Sequence, residues 1–459
     1  MRDEQTSRMH RLREHDLLSP RQWRRRILLW TGAVGVGLAA IFFAEASAWV
    51  YARFVQLLAV SPYWPLLVTP VVFALLSWST RGMFMATRGS GIPQAIAALK
   101  VDDPGFRGRL LSVPVAAGKM ILTLVALAAG ASVGREGPTV HVGAGLLYSL
   151  GRRFGFADPQ AATRFILAGG AAGIAAAFNT PLAGVVFAIE EMAGAFETRM
   201  SGVVLTAVIL SGVVSLGVMG EYAYFGKIDS ALPLSRSWLA ILLCGIVCGL
   251  AGGLFARLIL LEGAPPLARI AAVRARWPVL FAAACGFVLA LLGLASAGNV
   301  YGTGYDQARA ILENAPVMPL DAFGALKFCA NTVSYWAGIP GGIFSPALAV
   351  GAGIGHNLAA LVPGAQPSAV VLLGMAAYLA GVTQAPLTSA VISMELTDNR
   401  EMVIPILAVC LLARAASSVI LRVPVYKVLA TRLVDELERA RSRAESSPTA
   451  RVEVPGDRT

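Results

Sequence analysis

Charge is scarce in this chain. Of 459 residues only 14% are Asp, Glu, Lys or Arg, whereas 56% are hydrophobic and the mean hydropathy is +0.66. Such a composition excludes an ordinary soluble domain and predicts an integral membrane protein. Acids are scarcer than bases, 27 against 38. The basic excess does not read as nucleic-acid binding, because much of it sits in Arg21, Arg24, Arg25 and Arg26 and in short loops such as Arg152-Arg153. That distribution fits cytoplasmic flanks under the positive-inside rule, so both charged tails are expected in the cytoplasm. No apolar run precedes Arg26 to suggest a cleavable signal peptide.

Cysteine is rare too. Cys244, Cys248, Cys285, Cys329 and Cys410 all fall in apolar segments, which predicts buried small hydrophobes rather than a disulfide framework. Cys244 and Cys248 share a helical face but have no further soft ligands, and no metal site is expected. Of four histidines, His10 and His15 lie in the N-terminal tail, and His141 and His356 are lone residues expected to be helix-surface or satisfied core groups. His-Glu-x-x-His and Gly-x-x-x-x-Gly-Lys-Ser/Thr are both missing and no Gly-x-Ser-x-Gly nucleophile turn is expected, so neither hydrolysis nor nucleotide-driven pumping by this chain is predicted. The chain is not expected to be an enzyme or to need a cofactor.

Hydrophobic segments are abundant and of unequal length. Ile27 to about Val60 exceeds the roughly 20 residues of a perpendicular span, which predicts tilt. Trp238–Leu260 and Pro278–Leu294 are comfortable spans. Pro138–Leu150, Phe165–Ala177, Pro181–Met192, Pro346–Leu361 and Pro386–Leu396 read as too short. Interrupted segments in both halves are the sequence sign of a transporter whose site is built from broken helices.

The two halves also match each other. Residues Gly134 to Gly145 align with Gly342 to Gly353 at an offset of 208, and Pro181-Leu182 and Glu190 align with Pro386-Leu387 and Glu395 at an offset of 205. An internal duplication follows, with halves at about 27–220 and 237–421 between tails 1–26 and 430–459. Inversion is the commoner arrangement in transporters, so an all-α inverted repeat of tilted and broken helices is expected. In this alignment Glu136 falls opposite Phe344 and Arg135 opposite Ile343, while Glu191 falls opposite Leu396. Glu190 and Glu395 form a matched pair suited to capping or bracing. The unmatched acids, Glu136 and Glu191, are the functional candidates.

An acid inside a membrane costs about 2.5–3.5 kcal/mol even on insertion scales, so it is usually functional. Glu136 lies in Gly134-Arg135-Glu136-Gly137-Pro138. Gly134 and Gly137 free the backbone, and Pro138 suits a first helical position, which places Glu136 just before a helix start with unpaired N–H groups. Gly89-Ser90-Gly91-Ile92-Pro93 and Gly342-Ile343-Phe344-Ser345-Pro346 have the same Gly-x-x-x-Pro shape. Three helix starts converging in mid-membrane would bind a small anion through neutral dipoles, with Ser90 adding a hydroxyl donor.

Together these three motifs resemble the signature of the CLC chloride channel and chloride/proton antiporter family, over about Arg26 to Leu429. The resemblance implies a homodimer with one chloride pathway per protomer in the lipid bilayer, and the compact loops and absent regulatory domains predict a bacterial inner membrane. It implies that Glu136 is the gating glutamate, that Ser90 is the central-site serine, and that the Ile343 and Phe344 amides and Tyr426 bind chloride. Glu191 resembles the inner proton glutamate of the antiporters, which favours chloride/proton exchange over the alternative, a passive chloride channel. Lys119 falls where several relatives carry a buried lysine, and is expected to balance a nearby carboxylate. Gln94 departs from the family, which usually has Glu there. The short segment after Tyr426 is too small for the paired regulatory domains of larger members.

Overall fold

In a computed structural model, the residues described are 20–82, 84–156, 158–193, 202–220, 224–228, 232, 234–261, 265–315, 317 and 319–445. His10, His15 and most of the expected tails lie outside them. Among the described residues the chain is helical, and its only β-type pairings are isolated bridges between loops.

The first half holds α1 (Pro20–Val60), α2 (Pro65–Ser79), α3 (Ile92–Lys100), α4 (Pro104–Leu110), α5 (Val113–Ala128), α6 (Glu136–Arg153), α7 (Pro159–Phe178), α8 (Pro181–Phe187) and α9 (Gly202–Met219). The second holds α10 (Leu234–Leu260), α11 (Pro265–Arg276), α12 (Pro278–Ala295), α13 (Tyr305–Leu312), α14 (Leu320–Trp336), α15 (Phe344–Ala359), α16 (Pro367–Thr383), α17 (Pro386–Thr397), α18 (Val403–Ile420) and α19 (Val425–Glu445). Seven helical stretches among the described residues are long and apolar enough to cross a membrane.

Packing repeats as the sequence does. Helix α6 packs on α7 as α15 packs on α16, and α1 packs on α9 as α10 packs on α18. Small residues allow the closest approaches. A Cβ on Gly143 would strike the Gly169 carbonyl, and one on its counterpart Gly351 would lie 2.5 Å from the Gly374 carbonyl. With lipid as apolar as leucine, such backbone-to-backbone contact is what holds membrane helices together. The ends of α7 and α16 are alike too: Asn179 (φ 57°) and Gln384 (φ 60°) each adopt a left-handed cap two residues before a proline that opens the next helix.

The matched acids cross-cap the halves. Glu190 accepts from the Leu387 and Thr388 amides at 3.2 and 2.7 Å, and Glu395 accepts from Leu182 and Ala183 at 3.4 and 2.7 Å. Each carboxylate thus satisfies the exposed N–H groups of the other half's short helix. This is the bracing role expected of the pair.

Several expectations change. Phe165–Ala177 is not a short segment: α7 runs for 20 residues, because Asp158 caps it by accepting from the Ala161 amide at 2.9 Å and Pro159 opens it. Helix α6 begins at Glu136 itself, with Pro138 in its first turn. Cys329 is exposed, while the other four cysteines are buried. Helix α1 starts at Pro20, inside the expected N-terminal tail, and α19 continues to Glu445, well past residue 430.

Candidate functional site: three helix starts around Glu136

The three Gly-x-x-x-Pro loops meet through their backbones. Gly134 donates to the Gly342 carbonyl at 2.8 Å, and Gly342 donates back to Gly134 at 2.6 Å. Because these residues are equivalent in the repeat, this antiparallel bridge places a local two-fold relation between them. Gly89 joins from the other side, donating to Ile339 O (3.2 Å) and accepting from the Gly341 amide (3.1 Å). Residues 339–342 therefore tie both first-half loops together. Gly137 is where they come closest: a Cβ there would collide with Ser90 Oγ and lie 3.4 Å from Gly342 Cα. Only glycine fits.

Helices α3, α6 and α15 all start at this junction, and no side chain caps any of them. Gly91 opens α3 with φ 102°, a left-handed conformation suited to glycine. The amides of Ile343 and Phe344 donate to no acceptor among the described residues. Uncapped starts carry unpaired N–H groups and partial positive charge, the elements of an anion site.

Glu136 is fully buried in this junction. Its Oε1 accepts from Ser345 Oγ at 2.6 Å, while Oε2 has no hydrogen-bond partner and folds over Gly134. Ser345 is the repeat counterpart of Gly137, so the half lacking the acid supplies its hydroxyl partner. Sequence reading missed Ser345, since nothing local marks it. Arg135 turns away and donates from Nη1 to the Ala44 carbonyl at 2.7 Å.

Ser90 and Tyr426 are both buried, and neither hydroxyl has a hydrogen-bond partner. Phe344 joins them to the third helix start: its ring stacks on Tyr426 (centroids 6.2 Å, planes 10° apart) and touches Phe187 and Phe178 at 6.1 and 6.3 Å. A buried hydroxyl without a partner is costly in a low-dielectric interior, so two of them beside open helix starts mark a place suited to a polar guest.

Glu191 lies 3% exposed on a π-helical turn, Ala188–Ala193, that continues α8. The second-half helix α17 stays α-helical through the matching stretch. On this turn Glu190 reaches the α17 amides, as Glu395 reaches those of α8, and Glu191 is buried with Oε2 unpaired. Inserted π-turns of this kind are frequent at functional sites.

The loop carrying Ser90 is gripped from behind. Gln94 Nε2 donates to the Ala86 and Arg88 carbonyls at 3.1 and 2.6 Å, and Lys119 Nζ donates to Thr87 O (2.8 Å) and to Gly89 O. Lys119 therefore does not balance a carboxylate: no ion pair joins it among the described residues, and Gln94, lacking a charge, shares the work of holding carbonyls. Its repeat counterpart, Lys327, holds Val300 and Gly302 carbonyls at 2.9 and 2.8 Å. That second buried lysine was not singled out in the sequence, although the offset of 208 finds it. His141 Nε2 lies 2.8 Å from Leu110 O as a buried core group, and packs under Gly91.

The Gly-x-Ser-x-Gly pattern that was not expected is present in sequence, as Gly130-Ala131-Ser132-Val133-Gly134, but it does not form the turn. Ser132 follows no strand, and its Oγ donates to Asn331 Oδ1 at 2.7 Å, so it joins two loops and is no nucleophile elbow.

Residues 71–418 match the sequence profile of the voltage gated chloride channel family. The chain belongs to that family. It is 35% identical to an H(+)/Cl(-) exchange transporter ClcA of Cronobacter sakazakii over 93% of each chain, and 32% identical to that of Yersinia pestis over 91% of this chain and 89% of the relative. Among solved structures it resembles a slow cyanobacterial Cl−/H+ antiporter, with 25% identity and a TM-score of 0.78 over 91% of this chain and 99% of the other. A CLC-type fluoride/proton antiporter shares the fold, at 23% identity and a TM-score of 0.70. The all-α inverted repeat expected from the sequence is therefore the fold of a voltage gated chloride channel family member, and Glu136 stands at its pseudo-two-fold junction.

Proposed function

We propose that this protein is a secondary-active chloride/proton antiporter, in which Glu136 is the protonatable gate and Glu191 the inner proton relay. The observation that carries this reading is the position of Glu136. An acid with one unpaired oxygen is buried where three uncapped helix starts meet. Ionised, its carboxylate occupies an anion position and blocks the pathway. Protonated, it loses that attraction, chloride takes its place, and the side chain swings outward with its proton.

Chloride in this scheme is held by the Ile343 and Phe344 amides and by the hydroxyls of Ser90 and Tyr426, which form the inner constriction. The proton reaches the inside by way of Glu191. The exchanger names of the ClcA relatives support this choice over a passive channel, as does a second buried acid without a repeat counterpart. The working unit is a homodimer with one pathway per protomer in a bacterial inner membrane, both termini cytoplasmic. The membrane domain is 27–429, with halves 27–220 and 237–421.

Reversal potential under opposing chloride and proton gradients tests the reading. An antiporter's reversal potential moves when the proton gradient alone is changed. A reversal potential fixed by chloride alone would assign the protein to the channels.

A further inference from the structure

Away from the anion pathway, a groove of about 860 Å³ runs between α1, α5 and α6. Its walls are largely apolar, formed by Gly32, Gly35, Val113, Leu146 and Leu150. At Gly35 nothing lies within 4 Å of the position a Cβ would take, so the groove is open along α1. One end is different. Arg152 and Arg153, at the end of α6, are exposed there, and neither makes an ion pair with a described carboxylate. Arg24 reaches the same end, where its Nη2 donates to Phe154 O at 3.2 Å. Ser112, which precedes α5, also lines this end, and no side chain caps that helix.

We propose that this groove binds an anionic phospholipid, with its phosphate against Arg152, Arg153 and Ser112 and an acyl chain laid along Gly32 and Gly35. Both α1 and α5 belong to stretches apolar enough to cross a membrane, so the groove opens onto hydrocarbon at the depth where lipid chains lie. Its basic end is the side expected to face the cytoplasm, and basic pockets between helices on that side suit acidic head groups. Residues 1–19 of the same chain are a poorer match in charge: four arginines (2, 8, 11 and 13) offset four acids (3, 4, 14 and 16). The site is remote from Glu136, so its failure would leave the antiport reading untouched.

The test uses the full chain in detergent, titrated with phosphatidylglycerol, phosphatidylcholine or inorganic phosphate, with thermal unfolding and native mass spectrometry as readouts. Phosphatidylglycerol should raise the unfolding temperature more than phosphatidylcholine does and be retained as a bound lipid on each protomer. Arg152→Gln/Arg153→Gln should abolish the difference between the two lipids. Gly35→Trp, which fills the groove and leaves the charges in place, should remove the retained lipid by itself. Equal responses to the two lipids, an equal response to phosphate alone, or retention unchanged in Gly35→Trp would each overturn the proposal. Equal lipid responses are also what occupation by residues 1–19 would give.

Discussion

Gly134 and Gly342 donate to each other's carbonyls, at 2.8 and 2.6 Å, across 208 residues of sequence. Because they are the same position in two copies of one half-fold, the loops leaving them open equivalent helices, α6 and α15. One of those helices begins with Glu136 and the other with Phe344. The acid is thus present in one copy of a duplicated scaffold, and the other copy answers it with Ser345.

Removing the acid should separate the two substrates. In Glu136→Gln, chloride flux persists and coupled proton movement is lost. Electrode recordings of chloride efflux and proton uptake taken together, in the wild type and in the Gln variant, check both points.

Glu191→Gln should stop proton movement and spare chloride. Coupled transport surviving in this variant would remove Glu191 from the proton route. The π-turn should remain, so the variant should unfold at the wild-type temperature.

Ser345→Ala removes the partner that holds Glu136 in the junction. A hydrogen bond to a charged group is worth about 1.5–3 kcal/mol, so the gate's open fraction should rise roughly tenfold or more. Turnover should increase with coupling retained, since the proton carriers are intact.

The cross-caps concern stability rather than transport. Glu190→Ala and Glu395→Ala each leave helix-start amides without an acceptor and should cost about 1–2 kcal/mol apiece. Losses of similar size in the two variants, read by thermal unfolding, follow from their symmetry. The chloride-to-proton ratio should not change.

Much of this architecture is legible in the sequence. The offset of 208 and the three Gly-x-x-x-Pro starts pointed to the junction, and the match of Glu190 with Glu395 pointed to bracing, because both are statements about residue pattern. What stayed hidden depends on partners brought together by the fold. Ser345 acts through a hydroxyl whose acceptor, Glu136, is brought to it by tertiary approach. The carbonyls that replace a carboxylate around Lys119 come from a loop about thirty residues away. The π-turn under Glu191 has no local signature, since the matching stretch of α17 aligns without a gap and stays α-helical. The length of α7 was misjudged because hydropathy fades in its first turn, where Asp158 and Pro159 fix the start.

The central claim is that chloride and protons share one obligatory cycle. Liposomes loaded with chloride and diluted into low-chloride medium at equal pH, with chloride efflux and proton uptake recorded together, test it most directly. Chloride leaving down its gradient should draw protons inward, against the gradient so formed, in a fixed ratio that disappears in Glu136→Gln. Chloride efflux with no proton movement in the wild-type protein would contradict the account and leave a passive anion pathway on the same scaffold.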